Sequence, residues 1–444
     1  MEKIILTDGI LVTMDAERRI LDGYDLIVDG GVIKGIAPSG SLPTDGARRI
    51  DCAGCVVLPG LIDCGGWAGT RPFGGWMQEY PALRWPSIAG ALVGADEDWW
   101  RAEGTALAGS RLLSGVTTGG VHYPSEFFPP DRYADRVKAH LAGYARMGAT
   151  VLPAVAPEWL GALSAASPAA RAYLPSLVAS RAGRISDGFS GLSKDDVDRV
   201  RAAVAAARAH GVGITAGLWG RQIELLEQAG VRLEGVHWLF QFCQDLTYAE
   251  IQRLSALDAA VVHLPAQTVR YAPFSEMLEM GLRCAVMSED IHSGGSGDLL
   301  QAVRRAQMIE QMRFDDMYYL PAGRQLELIT IDAARCLGLE GAKGSLEVGK
   351  DADVVVVDME YPRTVPYRDM PVHRLMIDGN VRQVRDVLVG GAQVVTGCRL
   401  PGQPFEGARP LLSLVDGLHA APDEGWGCPV KPRPQGFVAK EVNE

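Results

Sequence analysis

The chain has no apolar run near the roughly 20 residues needed to span a bilayer. Its opening, MEKIILTDGILVTMDAERR, has neither the basic start nor the long apolar stretch of a secretion signal. Positive charge is not in excess either. The net charge is −11 and the pI about 5.3, which argues against nucleic acid or an anionic membrane as the main partner. The eight Cys are scattered, most of them in apolar runs such as Arg283-Cys284-Ala285-Val286. Without a secretion signal they read as reduced, buried thiols rather than a disulfide framework. Cys52 and Cys55 form a lone C-x-x-C, read as two small residues near a strand, with a redox or zinc half-site as the alternative. A cytoplasmic chain with a small-molecule partner is the expectation.

The 444 residues suit one large α/β domain plus a smaller one. Hydrophobic residues make up 47% and charged residues 22%, as in an ordinary globular enzyme. Residues 1–57 read as short strands around the turns Asp8-Gly9 and Asp29-Gly30-Gly31. A β pattern returns over 344–400, with Val354-Val355-Val356-Val357-Asp358 as a buried-type strand. Neither end has enough core alone, so the two are expected to pair into one small β-sandwich. The middle, 58–343, alternates short apolar strands with amphipathic helices, among them one from Asp195 to His210 capped by Ser193 and Asp196. Repeated βα units over this length predict an α/β (β/α)8 TIM barrel. The tail, 401–444, is rich in Pro and Gly and reads as an extended arm.

Two motifs carry a resemblance. Val56-Val57-Leu58-Pro59-Gly60-Leu61-Ile62-Asp63-Cys64-Gly65-Gly66-Trp67 resembles the first barrel strand of the amidohydrolase superfamily, whose motif runs PGLID-x-H-x-H. Ile329-Thr330-Ile331-Asp332-Ala333-Ala334-Arg335, followed by Gly344-Ser345-Leu346 and Gly349-Lys350-Asp351-Ala352-Asp353, is similar to the branch of cytosine and guanine deaminases and triazine hydrolases. The resemblance implies a metal held by two His on strand 1, one His on strand 5 and one Asp on strand 8. Here Gly65 and Trp67 take the first two positions. On strand 5, within Thr215-Ala216-Gly217-Leu218-Trp219-Gly220, Gly217 takes the third and Gly220 replaces a catalytic Glu. Strand 8 reads Ser288-Glu289-Asp290. The strand 6 His falls at Phe242, with His237 as the other alignment. Strand 4 is placed at Arg184-Ile185-Ser186-Asp187-Gly188-Phe189 and has no Lys for a carbamylated site. A catalytic metal needs about three protein ligands, so no metal and no cofactor are expected.

Polar residues remain at the expected mouth. Glu289, His122, His263, Asp290 and His292 are the candidate catalytic groups. His122 matches the family's GVTT-x-x-DH run and His263 its HxP run. A carboxylate at the inner end of a barrel strand is costly unless something binds or protonates it, which favours Glu289. Trp67, Arg71, Trp76, Trp219, Phe242 and Gln267 are candidate substrate contacts, giving a dry pocket for a flat ligand. Cys64 reads as packing, and His140 and His210 as surface residues of helices.

Three readings follow. The first is an amidohydrolase-like enzyme that works without the usual metal on a small cyclic or aromatic molecule, by general acid-base hydrolysis, elimination or cyclisation. The second is an inactive homologue that binds a ligand or partner. The third is a metal-dependent amidohydrolase with relocated ligands such as His122, His263 and Glu289. A homodimer or higher homo-oligomer is expected in each case. No residue identifies the substrate.

Overall fold

The computed structural model describes residues 2–73, 81–123, 128, 130–160, 192–265, 272–288, 297–400 and 411. The N-terminal part is β-rich. It holds β1 (Ile4–Thr7), β2 (Ile10–Val12), β3 (Ile20–Leu21), β4 (Tyr24–Asp29), β5 (Val32–Pro38), β6 (Arg48–Asp51) and β7 (Cys55–Pro59). The middle contributes β8 (Leu61–Asp63), β9 (Val116–His122), β10 (Thr150–Ala154), β11 (Ile214–Trp219), β12 (Trp238–Gln244), β13 (Ala260–His263) and β14 (Arg283–Val286). After these come β15 (Val354–Asp358), β16 (Val384–Val389) and β17 (Ala392–Val395).

Both ends of the chain enter one six-stranded sheet, ordered β17-β16-β15-β7-β2-β3, next to a four-stranded sheet ordered β5-β4-β1-β6. β15 runs antiparallel to β7, with Val356 opposite Val57. Ile4, Leu26, Val28, Val57, Val356 and Leu388 share one buried cluster across the two sheets. The four valines of β15 are buried on both faces: Val354 and Val356 join that cluster, while Val355 and Val357 join the larger core beneath the helices. An unbroken apolar strand is what a sheet covered on both sides demands. The helix Pro371–Asp378, which the β pattern of this region does not announce, packs against the helices Leu299–Phe314 and Ala322–Glu327.

The middle strands form two parallel arcs, β10-β9-β8 and β11-β12-β13-β14. Residues alternate between two cores along them. Ile62, Leu152, Leu239, Val262 and Ala285 meet in one cluster. Val116, Ile214, Phe240, Val261 and Val286 belong to the other, with the helices. This is the period of two expected when one face lines an interior and the other receives helices. Between β14 and β8 the chain at 328–329 closes the seam: Val286 N donates to Leu328 O (3.2 Å) and Ile62 N to Ile329 O (2.9 Å). The strand 4 assignment, 184–189, lies outside the described residues.

The helix Lys194–His210 begins with the capping box read from the sequence. The Ser193 side chain accepts from Asp196 N, and the Asp196 side chain accepts from Ser193 N. No helix among the described residues is long and apolar enough to cross a membrane.

Candidate functional site

The first strand of the interior ends in a buried charge pair. Asp63 is fully buried. Its Oδ2 accepts from Ser288 Oγ at 2.5 Å, and its Oδ1 from Ser288 N at 3.3 Å and Gly65 N at 3.5 Å. Arg111, on the helix Glu97–Leu113, lies with Nη2 3.7 Å from Asp63 Oδ2. It also donates to Gly65 O (2.6 Å), Gly120 O (3.1 Å) and Tyr144 Oη (2.7 Å). The guanidinium reaches this point because residue 119 is glycine: a Cβ there would overlap Arg111 Nη1. Burial pushes the Asp63 carboxyl up from its ordinary value, and Arg111 and the Ser288 bonds pull the other way. The network ties the end of β8 to the residue that precedes Glu289.

Above this pair stands a neutral hydrogen-bonded couple. His122 ends β9, and the Gln241 amide nitrogen lies 2.5 Å from His122 Nε2. Both side chains are buried, while His122 Nδ1 and Gln241 Oε1 have no hydrogen-bond partner among the described residues. Burial, with Arg111 adding to it, pushes the His122 pKa down to about 4. Trp67, half-buried, packs its ring 5.6 Å from that of His122. A Cβ at Gly65 would stand 2.7 Å from Met287 Sδ and 3.1 Å from Gln241 Nε2. The space of a residue 65 side chain is therefore occupied by Met287 and Gln241.

Gln241 faces inward in step with Leu239, and a bulge follows it. Gly217 pairs with Gln241 and Trp219 with Gln244, so β12 carries one extra residue. Phe242 and Cys243 take left-handed backbone, φ 68° and 48°. Such conformations cost on the order of 1–3 kcal/mol each. Alternation breaks here, and the consecutive residues Gln241 and Phe242 both face the interior. The Phe242 ring stacks on Trp219 at 4.9 Å, and Trp219 Nε1 donates to Gln244 Oε1 at 3.2 Å.

The other candidates separate. His263 is buried, but Val262 is the residue paired with Gln241 and shares the interior cluster. The His263 ring stacks instead on Phe274 at 4.5 Å, on the helix-facing side, and neither of its nitrogens has a partner among the described residues. His122 and His263 thus face different cores. His237 Nε2 bonds Cys336 O at 2.8 Å ahead of β12, leaving the inner positions of that strand to Gln241 and Phe242. Arg71 Nη1 donates to Ala106 O at 3.2 Å. The Cys64 thiol bonds Ala333 O at 3.6 Å, and burial pushes its pKa well up. Cys52 and Cys55 are both free. Glu289, Asp290, His292, Trp76 and Gln267 lie outside the described residues. His210 is exposed, as expected, but the surface assignment of His140 is corrected: it is fully buried. Its Nε2 meets Glu103 Oε2 at 2.5 Å and its Nδ1 the Tyr123 hydroxyl at 2.8 Å. Partners on both nitrogens let a polar ring sit inside a helix contact.

The amidohydrolase family profile matches residues 197–392. The chain carries an amidohydrolase family domain. Over 413 residues it is 28% identical to a 5-methylthioadenosine/S-adenosylhomocysteine deaminase of Desulforudis audaxviator, covering 85% of this chain and 90% of the relative. It is 24% identical to a 5'-deoxyadenosine deaminase of Methanosarcina acetivorans, covering 90% and 94%. Among solved structures, a triazine hydrolase of Arthobacter aurescens superposes with a TM-score of 0.80 at 19% identity, covering 94% of this chain and all of that one (100%). An adenosine deaminase of Xanthomonas campestris with bound zinc superposes with a TM-score of 0.78 at 19% identity, covering 94% and 98%. The structural likeness gives the fold, an α/β chain of the TIM-barrel type. The named relatives are enzymes, and this amidohydrolase-like chain is one as well.

The described residues of this chain do not present the donors a divalent ion requires. Gly65 and Gly217 have no side chain, His122 Nε2 is taken by Gln241, and a thioether fills the gap. Among the described residues no three His, Cys, Asp or Glu side chains come together as a metal site. Sequence reasoning missed Gln241, Met287, Arg111 and the role of Asp63. Only Gly119-Gly120 inside a strand signalled that another group approaches closely there.

Proposed function

We propose that this amidohydrolase-like enzyme acts on a small cyclic or aromatic molecule by general acid-base chemistry and without the usual catalytic metal. One observation carries the reading: Met287 and Gln241 fill the space at Gly65, where the resemblance places a ligand side chain. The relatives' names point to adenosine-like and triazine molecules as the first substrates to try. In this reading Glu289 moves the proton. It directly follows Ser288, which Asp63 holds from two sides. His122, kept neutral, orients the substrate with Gln241, while Trp67 and the stacked Trp219–Phe242 pair supply flat apolar walls. Hydrolysis, elimination and cyclisation all fit such a site. The reading also takes residues 1–57 and 344–400 as one β-sandwich domain beside a barrel at 58–343, in a cytoplasmic homo-oligomer.

Glu289→Gln keeps volume and removes the proton-transfer group. It is expected to lower kcat on an accepted substrate by about 100-fold or more, with the fold intact by circular dichroism. Turnover retained within a few-fold would remove Glu289 from the mechanism. The second reading, a metal-dependent hydrolase, is favoured by the zinc in the Xanthomonas campestris adenosine deaminase. Full activity restored by zinc to chelated protein would establish it.

A further inference from the structure

The helix Leu299–Phe314 has two faces of opposite character. Leu299, Leu300, Val303, Ala306 and Glu310 are buried, with Glu310 Oε2 accepting from Ser275 Oγ. Gln301, Arg305, Met308 and Met312 follow at alternating spacings of four and three residues, so they form one stripe on the outer side. Met308 is 56% exposed and Met312 79%. The helix ends at Asp315, in left-handed backbone (φ 51°), and the turn beyond presents Met317 (73%) and Tyr318 (79%). That turn is tied down: Gln311 Nε2 donates to Met317 O at 2.6 Å, and Tyr318 N to Asp316 Oδ1 at 2.8 Å. An exposed apolar patch of this kind marks an interaction site.

The charges along the stripe lie at its two ends. Arg305 stands toward one end and Asp315 at the other, and among the described residues neither has an ion pair or a side-chain hydrogen bond. The other basic groups of the helix are engaged elsewhere. Arg313 pairs with Glu276 and Glu310, and Arg304 donates to the carbonyls of Leu375, Met376 and Gly379.

We propose that this face binds the same face of a second copy of the chain, the two helices running antiparallel about a two-fold axis that crosses each at residue 310. In that register Met308 meets Met312 of the partner subunit, and Arg305 meets Asp315 of the partner subunit, each contact occurring twice. An interface on a two-fold axis demands such self-complementarity. A base and an acid equally far from the centre meet their opposites when the helices run antiparallel, whereas parallel packing sets like against like. An apolar centre with charges at its rim is the ordinary plan of a protein interface. Unbranched thioethers adapt readily to an identical neighbour. The proposal gives the homo-oligomer its surface and does not depend on the chemistry of the interior site.

The whole chain is tested by sedimentation velocity over roughly 0.1–100 μM. A dimer is expected at the upper end. Met312→Glu places two carboxylates in the apolar centre and should raise the dimer dissociation constant at least about 100-fold. Circular dichroism should stay unchanged, because the residue is at the surface. Arg305→Asp and Asp315→Arg, each alone, bring like charges together twice and should each favour the monomer. Mixed in equal amounts, these two variants should pair again, because every end contact then joins an acid to a base. Mixing would not repair damage to the fold. A wild-type chain monomeric throughout, whether this face is bare or covered by residues 401–444 of its own chain, would overturn the proposal. So would a dimer indifferent to Met312→Glu, or charge variants that stay apart on mixing. Turnover and metal content bear only on the interior site, so the two failures are separable.

Discussion

At the scale of single residues, the two buried histidines make a pH prediction. Burial pushes both His122 and His263 down to about 4 from 6.5. The unfolded chain takes up these protons first. The stability they contribute is therefore complete above 6.5 and is lost as pH falls toward 4. Each removes on the order of 1 kcal/mol per pH unit inside that window. Thermal unfolding midpoints should fall steeply between pH 6.5 and 4. His263→Leu should flatten the slope while leaving the midpoint at pH 7 near wild type, because neither nitrogen of His263 has a partner to lose among the described residues. A slope unchanged in that variant would show that His263 is protonated in the fold. His122 and Trp67 could be singled out from sequence because a family pattern marks their positions. Gln241 was passed over although it is in step with inward Leu239, because the family pattern put the strand 6 position at Phe242, which a bulge turns inward beside it.

At the scale of elements, local chemistry was readable and packing was not. The Ser193–Asp196 box is a sequence-local device, and the helix starts where it says. Ser193→Ala should lower stability by about 1 kcal/mol, read from the denaturation midpoint. The burial of His140 depends instead on the helix Tyr133–Met147 meeting Glu103 of the helix Glu97–Leu113. Nothing near residue 140 in the sequence encodes that meeting. The Asp63–Arg111 pair joins a strand end to a helix across β9 and was equally hidden. Its passage through Gly119 is testable: Gly119→Val should displace the Arg111 guanidinium and cost about 1–3 kcal/mol. A variant as stable as wild type would mean that Arg111 has room the structure does not show.

At the scale of the whole molecule, the ends of the chain and its middle depend on each other. β7 is covered by β15 along its length, so a chain ending at residue 343 leaves the Cys55–Pro59 strand unpaired on that side. Such a truncation is expected to aggregate on expression. The pairing of the two ends was legible because neither end holds a sufficient core alone. The interior was not legible, because the residues that replace an ordinary side chain at Gly65 come from β12 and from the end of β14, far away in sequence. The central claim is that these residues, and not a metal, occupy the heart of the site. Elemental analysis of protein purified without chelator tests it most directly. The account expects zinc, iron, manganese and nickel together to be well under one equivalent per chain. Near one equivalent, lost together with activity on chelation, would contradict it.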